Sequence, residues 1–169
     1  CYFDVPCKCT SLHSIVAPKS GGNTRFSNCI KAYDALPEQT RSQLEGLAGM
    51  NMYDYHSANR CKVTGEQPAD AHRYAHPLVR FHPETGRRSL YLNRLMTDHV
   101  VDVELSKGRQ LLGTLFDQLE RDEFIYEHVW TEGDLVIWDN RCLVHARTDF
   151  DPSEKRLLRR FLVAGEKPV

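Results

Sequence analysis

Apolar residues in this chain fall into short runs broken by turn residues, with only one long helical stripe among them. Thr10 to Val16 reads as a strand, ended by Pro18 and the Gly21-Gly22 pair. Ser27 to about Leu47 reads as helical, with Leu36, Leu44 and Leu47 as packing residues. Pro37 should split that helix, because proline fixes the backbone and removes a donor. From about Asn51 to Ala75 the chain is polar and aperiodic, and reads as a long loop of the kind that often forms a lid or binding loop. His76 to His82, the turn Pro83-Glu84-Thr85-Gly86 and Arg87 to Leu92 predict a hairpin.

Leu111, Leu112, Leu115, Phe116 and Leu119 share one helical face and predict an amphipathic helix from roughly Leu105 to Arg121. Phe124 to Trp130, the turn Thr131-Glu132-Gly133-Asp134 and Leu135 to Trp138 predict a second hairpin. Cys142 to Ala146 and Arg156 to Ala164 complete a mainly antiparallel set of strands. Short strands, hairpins and two side helices point to a mainly β fold with flanking helices, a sandwich or jelly roll.

At 169 residues the chain, 1–169, is expected to form one domain with a real core. A net charge of −1 lacks the basic excess that nucleic-acid partners usually require. No apolar run is long enough for a transmembrane helix. No signal peptide is visible in a sequence that begins at Cys1. Six cysteines are scattered with no CxxC pair, and Cys7-x-Cys9 is too short for a zinc knuckle. They read as reduced thiols in a cytoplasm.

Chemistry concentrates in the last third. Gly133-Asp134-Leu135-Val136-Ile137-Trp138-Asp139-Asn140-Arg141 is followed by His145, Arg156 and Arg160. This is the layout of a metal ligand followed by two anion-binding side chains. Arg156 and Arg160 share a face on a helix or a strand. Flanking Leu157, Leu158, Phe161, Leu162 and Val163 favour a buried strand. Arginines sent into an apolar interior need anionic partners, and guanidinium grips a carboxylate or sulfonate bidentately. Arg159 lies off that face and reads as surface. Asp139, Asn140 and Arg141 read as a polar scaffold rather than as catalysts. Cys142 and His145 do not make a nucleophile and base, since positions three apart on a strand face opposite ways. His76 and His82 each precede proline and read as structural; His56 and His72 sit in the long loop within possible reach of a substrate.

Taken in order, several segments resemble the taurine dioxygenase / 2,4-dichlorophenoxyacetate dioxygenase family of non-haem iron(II), 2-oxoglutarate-dependent oxygenases. They are Gly21-Gly22-Asn23-Thr24, Ala32-Tyr33-Asp34-Ala35-Leu36, His76 through Arg87, Tyr91-Leu92-Asn93, Trp138-Asp139-Asn140-Arg141, His145, Arg156 and Arg160. The resemblance implies a double-stranded β-helix, a cupin-like jelly roll. It implies Fe(II), 2-oxoglutarate and O2, and oxidative hydroxylation of a small anionic organic substrate (a sulfonate, carboxylate or sulfate ester) with release of succinate and CO2. His145 matches an iron ligand. Arg156 and Thr24 match the residues that hold the distal carboxylate of 2-oxoglutarate. Arg160 matches the arginine that reaches the anionic head of the prime substrate, and Met96 aligns with an aromatic residue that lines the pocket. The family's other two iron ligands lie in a His-x-Asp motif, and Cys1 to Pro6 correspond to what directly follows it, so an N-terminal truncation is expected. The implied partners are a small anionic molecule and further copies of the chain, without nucleic acid or membrane. Two other classes stay open: a non-catalytic jelly-roll module that binds anions and has lost its metal, and a hydrolytic or isomerising cupin-type metalloprotein.

Overall fold

Alternation from Thr10 onward becomes strand β1 (Cys9–Val16) in the computed structural model, which describes residues 2–53, 55–56, 61–62 and 72–168, with side chains for 2–53 and 72–168. Strand β2 (Thr24–Asn28) runs directly into helix α1 (Cys29–Asp34), where Asn28 Oδ1 accepts from the Lys31 amide and caps the first turn. Ser27, expected in the helix, belongs to β2 because its backbone pairs with a strand on each side. Pro37 separates α1 from α2 (Glu38–Gln43), as its chemistry requires.

The long polar stretch is bounded by strands rather than being loop throughout. Its ends fall in β3 (Ala48–Met52) and β6 (Arg73–Pro77), with the two-residue strands β4 (Tyr55–His56) and β5 (Cys61–Lys62) between them. Backbone pairs such as Asn51 with Tyr74 hold β3 to β6, and side-chain periodicity carries no trace of such pairing. The rest of that stretch, and the side chain of His56, lie outside the described residues. Strands β7 (Val79–Phe81) and β8 (Arg88–Leu90) form the expected hairpin. Strand β9 (Thr97–Val100) leads to α3 (Leu105–Leu119), capped by the Glu104 carboxylate. Its stripe is buried as predicted at Leu112, Leu115, Phe116 and Leu119. The chain ends in β10 (Ile125–His128), β11 (Leu135–Asp139), β12 (Leu143–Arg147) and β13 (Leu157–Val163).

Two three-stranded antiparallel sheets, ordered β11-β1-β13 and β10-β2-β12, face each other. Phe26 of one meets Trp138 of the other edge-on, with ring centroids 5.1 Å apart. This is the expected jelly roll. A third sheet, β6-β3-β9, and the helices flank it. The main apolar cluster lies on that flank, where Leu36, Leu44, Leu78, Leu90, Leu115 and Phe116 join α1, α3 and the β7-β8 hairpin.

Two expectations are corrected. Strands β10 and β11 are adjacent in sequence but belong to opposite sheets. Ser14 captures the chain after the turn, donating to Asp134 O and accepting from Gly133 N, so β11 pairs with β1 and not with β10. Strand β13 forms, but its residues are largely exposed rather than buried. Among the described residues it is the edge of its sheet, paired with β1 alone, which leaves one flank and much of both faces uncovered by them. Phe161, 57% exposed, and Ile137, 64% exposed, lie on one row through Ser11 on the outer face. No helix among the described residues is long and apolar enough to cross a membrane.

Candidate cosubstrate and metal site

Pairing registers decide which candidate side chains share a space. Thr24 lies opposite Arg147, and Phe26 opposite His145, so Thr24 and His145 project from one face of their sheet. That face looks inward: the His145 ring packs edge-on against Trp138 of the opposite sheet, centroids 4.8 Å apart. Arg160 pairs with Leu12, which pairs with Val136, and the next row on this face holds Leu162, Thr10 and Trp138. Arg160 therefore projects from the inner face of its sheet toward the space that His145 enters. It remains exposed, because it sits on the edge strand.

Arg156 immediately precedes β13 and is half-buried. Its Nε donates to Gly22 O at 2.8 Å, two residues before Thr24. Gly22 has φ +64°, and a Cβ there would lie 2.9 Å from Arg156 Cδ. The glycine thus provides a carbonyl for the guanidinium and leaves room for its stem. Thr24 is buried, and its Oγ1 accepts from Trp130 Nε1 at 3.0 Å. Trp130 is fixed by His128, whose ring meets it edge-on at 4.5 Å and whose Nε2 lies 3.1 Å from Asp134 Oδ2.

The structure joins Thr24 to Arg156 through Gly22, and puts His145 and Arg160 on facing inner surfaces. It does not put Met96 on either of those sheets. Met96 precedes β9 of the third sheet, where its carbonyl accepts from Met52 N at 2.9 Å. Gly22 and Trp130 carry site geometry, and sequence reasoning assigned neither a role. The tight Gly21-Gly22 pair was the one signal for Gly22; nothing local marks Trp130 as the partner of a residue 106 positions away.

The scaffold reading of Asp139-Asn140-Arg141 matches the contacts. Asn140 Nδ2 donates to Thr10 Oγ1 at 2.8 Å, and buried Arg141 grips the Asp139 carboxylate through Nε and Nη2. Arg141 also pairs with Glu84 and Glu166. Burial raises the Asp139 carboxyl, but hydrogen bonds from Arg141 and His82 outweigh it and hold it at about 2. Burial pushes the Cys142 thiol up to about 11, which removes it as a nucleophile. Structural roles also fit His82, whose Nε2 is 3.1 Å from Asp139 Oδ2, and His76, whose Nε2 is 2.8 Å from Phe3 O.

The donor set can be tested against a metal. Among the described residues, His82, Asp139 and Cys142 are close enough to share an ion, with ligand atoms within 4.8 Å of one another. That Asp139 is already neutralised by Arg141, and the Cys142 proton is held tightly, so the cluster is an ion-pair network. His145 is not part of it. The described residues therefore offer iron one imidazole on the inner face and do not complete a three-ligand set there. The Gly22, Thr24 and Arg156 arrangement, by contrast, suits a carboxylate.

The family model for "Taurine catabolism dioxygenase TauD, TfdA family" matches residues 1–162. The chain belongs to the TauD/TfdA family. The alpha-ketoglutarate-dependent 2,4-dichlorophenoxyacetate dioxygenase of Cupriavidus pinatubonensis is 39% identical over 88% of this chain and 52% of its own length. The alpha-ketoglutarate-dependent sulfate ester dioxygenase of Pseudomonas putida is 32% identical over 96% of this chain and 56% of its own. The crystal structure of AAD-2 with Mn(II) and N-oxalylglycine superposes with a TM-score of 0.90 at 33% identity, covering 99% of this chain and 67% of that one. The chain thus spans about half the length of these two sequence relatives.

Proposed function

We propose that this chain carries the cosubstrate- and substrate-binding part of an iron(II)- and 2-oxoglutarate-dependent dioxygenase. The enzyme hydroxylates a small anionic organic substrate (a sulfonate, carboxylate or sulfate ester) and releases succinate and CO2. The observation that carries the reading is the seating of Arg156 on the Gly22 carbonyl, beside Thr24, in a jelly roll of this family. Its relatives act, by name, on 2,4-dichlorophenoxyacetate and on sulfate esters, both anions.

Each residue has a definable part. With Nε tied to Gly22 O, the Arg156 guanidinium plane is set and its terminal nitrogens present a fork suited to the distal carboxylate of 2-oxoglutarate. Trp130 donates into the Thr24 oxygen, so the Thr24 hydroxyl proton is directed outward to the same carboxylate. His145 offers one iron ligand, oriented by Trp138. Arg160 anchors the anionic head of the prime substrate, and Met96 lines the pocket near the end of β3. Bound iron and dioxygen supply the oxidising power; the protein supplies position and exclusion of water. The setting is a cytoplasm, where the free thiols of Cys7, Cys9, Cys29 and Cys142 persist.

Arg156→Ala tests the reading. Losing a hydrogen-bonded charge pair at a half-buried site, about 1.5–3 kcal/mol, should weaken N-oxalylglycine binding by about 10- to 100-fold in a calorimetric titration. An unchanged titration would remove Arg156 from the cosubstrate site and the reading with it.

A further inference from the structure

A chain of contacts runs from Thr24 to a turn on the opposite sheet, and one histidine sits in the middle of it. His128 of β10 lies directly opposite Thr24 of β2, so the two side chains project from the same inner face. Trp130 follows two residues later and its ring returns to that side, while Val129 between them is largely exposed. The His128 and Trp130 rings meet edge-on, with centroids 4.5 Å apart and planes at 83°. Trp130 is 4% exposed, and its Nε1 donates to Thr24 Oγ1 at 3.0 Å.

The far end of this chain is firmly held. Asp134 Oδ2 accepts from Thr131 N at 2.8 Å, its Oδ1 accepts from Thr131 Oγ1 at 2.9 Å, and Oδ2 lies 3.1 Å from His128 Nε2. Hydrogen bonds from Thr131, and then from His128, hold the Asp134 carboxyl below its ordinary 3.8, so it is ionised at neutral pH. An ionised carboxylate only accepts, so His128 Nε2 carries the proton of their bond. The backbone of the same turn is tied to β1: Asp134 O accepts from Ser14 N at 2.8 Å, and Gly133 N donates to Ser14 O at 2.9 Å. His128 is therefore tethered to a turn that the opposite sheet fixes in place.

The consequence falls on the Thr24 hydroxyl. A hydroxyl has one proton and two lone pairs, and it rotates to suit its partners. Its orientation here depends on a ring that His128 packs against. We propose that His128, anchored by Asp134, is a positioning residue of the cosubstrate site: by fixing Trp130 it presets the Thr24 hydroxyl as a donor to an incoming carboxylate. The proposal rests on the placement of that carboxylate at Thr24 and Arg156 in the function proposed above. His128 acts through Trp130 and Thr24, without contact to the ligand. Once freed, the hydroxyl spreads over three staggered orientations, of which one is competent, so losing the preset costs about threefold in affinity.

The probe is N-oxalylglycine, titrated calorimetrically into the 169-residue chain and its variants. His128→Ala and Trp130→Phe are each expected to bind it about threefold more weakly. In a Thr24→Val background, which has no hydroxyl to preset, neither change should cost anything further. The chain's two tryptophans give a second readout, since each contributes one indole N–H signal to a proton–nitrogen correlation NMR spectrum. Trp130→Phe identifies the Trp130 signal, and Thr24→Val and His128→Ala should each move it. Unchanged affinity in His128→Ala or Trp130→Phe would overturn the proposal. So would equal losses with and without the Thr24 hydroxyl, since His128 and Trp130 would then support only the fold. A Trp130 signal indifferent to either change would remove the link itself. Failure of the cosubstrate reading looks different: N-oxalylglycine then does not bind the unaltered chain, or binds equally well after Arg156→Ala, and the positioning role falls with it.

Discussion

Gly22→Ala is the sharpest probe of the cosubstrate cradle. Gly22 has φ +64°, and its added Cβ would lie 2.9 Å from Arg156 Cδ, 2.9 Å from Pro18 Cγ and 3.1 Å from Arg156 Nε. Two costs follow. A left-handed backbone costs an L-residue about 1–2 kcal/mol. Crowding adds about 1 kcal/mol or more, because the proline ring is fixed even though the arginine stem can swing. Gly46 separates the two: it has φ +74°, but nothing lies within 4 Å of its Cβ position. Gly46→Ala should therefore lose only the strain, and Gly22→Ala should lose about 2–3 kcal/mol in all. At a urea slope of about 2 kcal/mol/M, that excess of about 1 kcal/mol separates the two midpoints by about 0.5 M. The swing of Arg156 also breaks its 2.8 Å bond to Gly22 O, so N-oxalylglycine should bind about tenfold more weakly to Gly22→Ala and equally well to Gly46→Ala. Equal midpoints for the two variants, with unchanged N-oxalylglycine affinity in both, would refute the claim that this glycine seats Arg156.

Further outcomes are expected. Asp139 is held at about 2 against an ordinary value of 3.8, so its contribution to stability is full above about pH 4 and is lost as pH falls toward 2. Asp139→Asn should flatten the decline of the thermal midpoint across that window, and an unchanged slope would show that the Arg141 network does not stabilise the fold through this carboxylate. The 169-residue chain should bind iron(II) more weakly than micromolar, since its described residues offer one inner imidazole; micromolar affinity by titration would mean the metal site lies elsewhere. Ile137→Lys with Phe161→Lys should raise the ammonium sulfate needed for precipitation while changing stability by less than about 1 kcal/mol, because both side chains are mostly exposed. A large loss of stability would show that this row is buried in solution.

Local chemistry was enough for much of the fold. Pro37 split a helix, the turn Pro83-Glu84-Thr85-Gly86 closed a hairpin, and the stripe from Leu112 to Leu119 buried itself. Each is decided within a few residues by backbone restriction or by a single repeating face. Order along the chain was likewise enough to mark Thr24, His145, Arg156 and Arg160 as belonging to one family. What the sequence could not determine is non-local. Ser14, 120 positions before Asp134, chooses the sheet that β11 joins, and no local pattern near the turn encodes that choice. The apolar run from Leu157 to Val163 specified a strand but not its burial, because burial depends on neighbours and, among the described residues, β13 has β1 alone beside it. Periodicity reports which face of an element is apolar; only tertiary structure decides what that face meets.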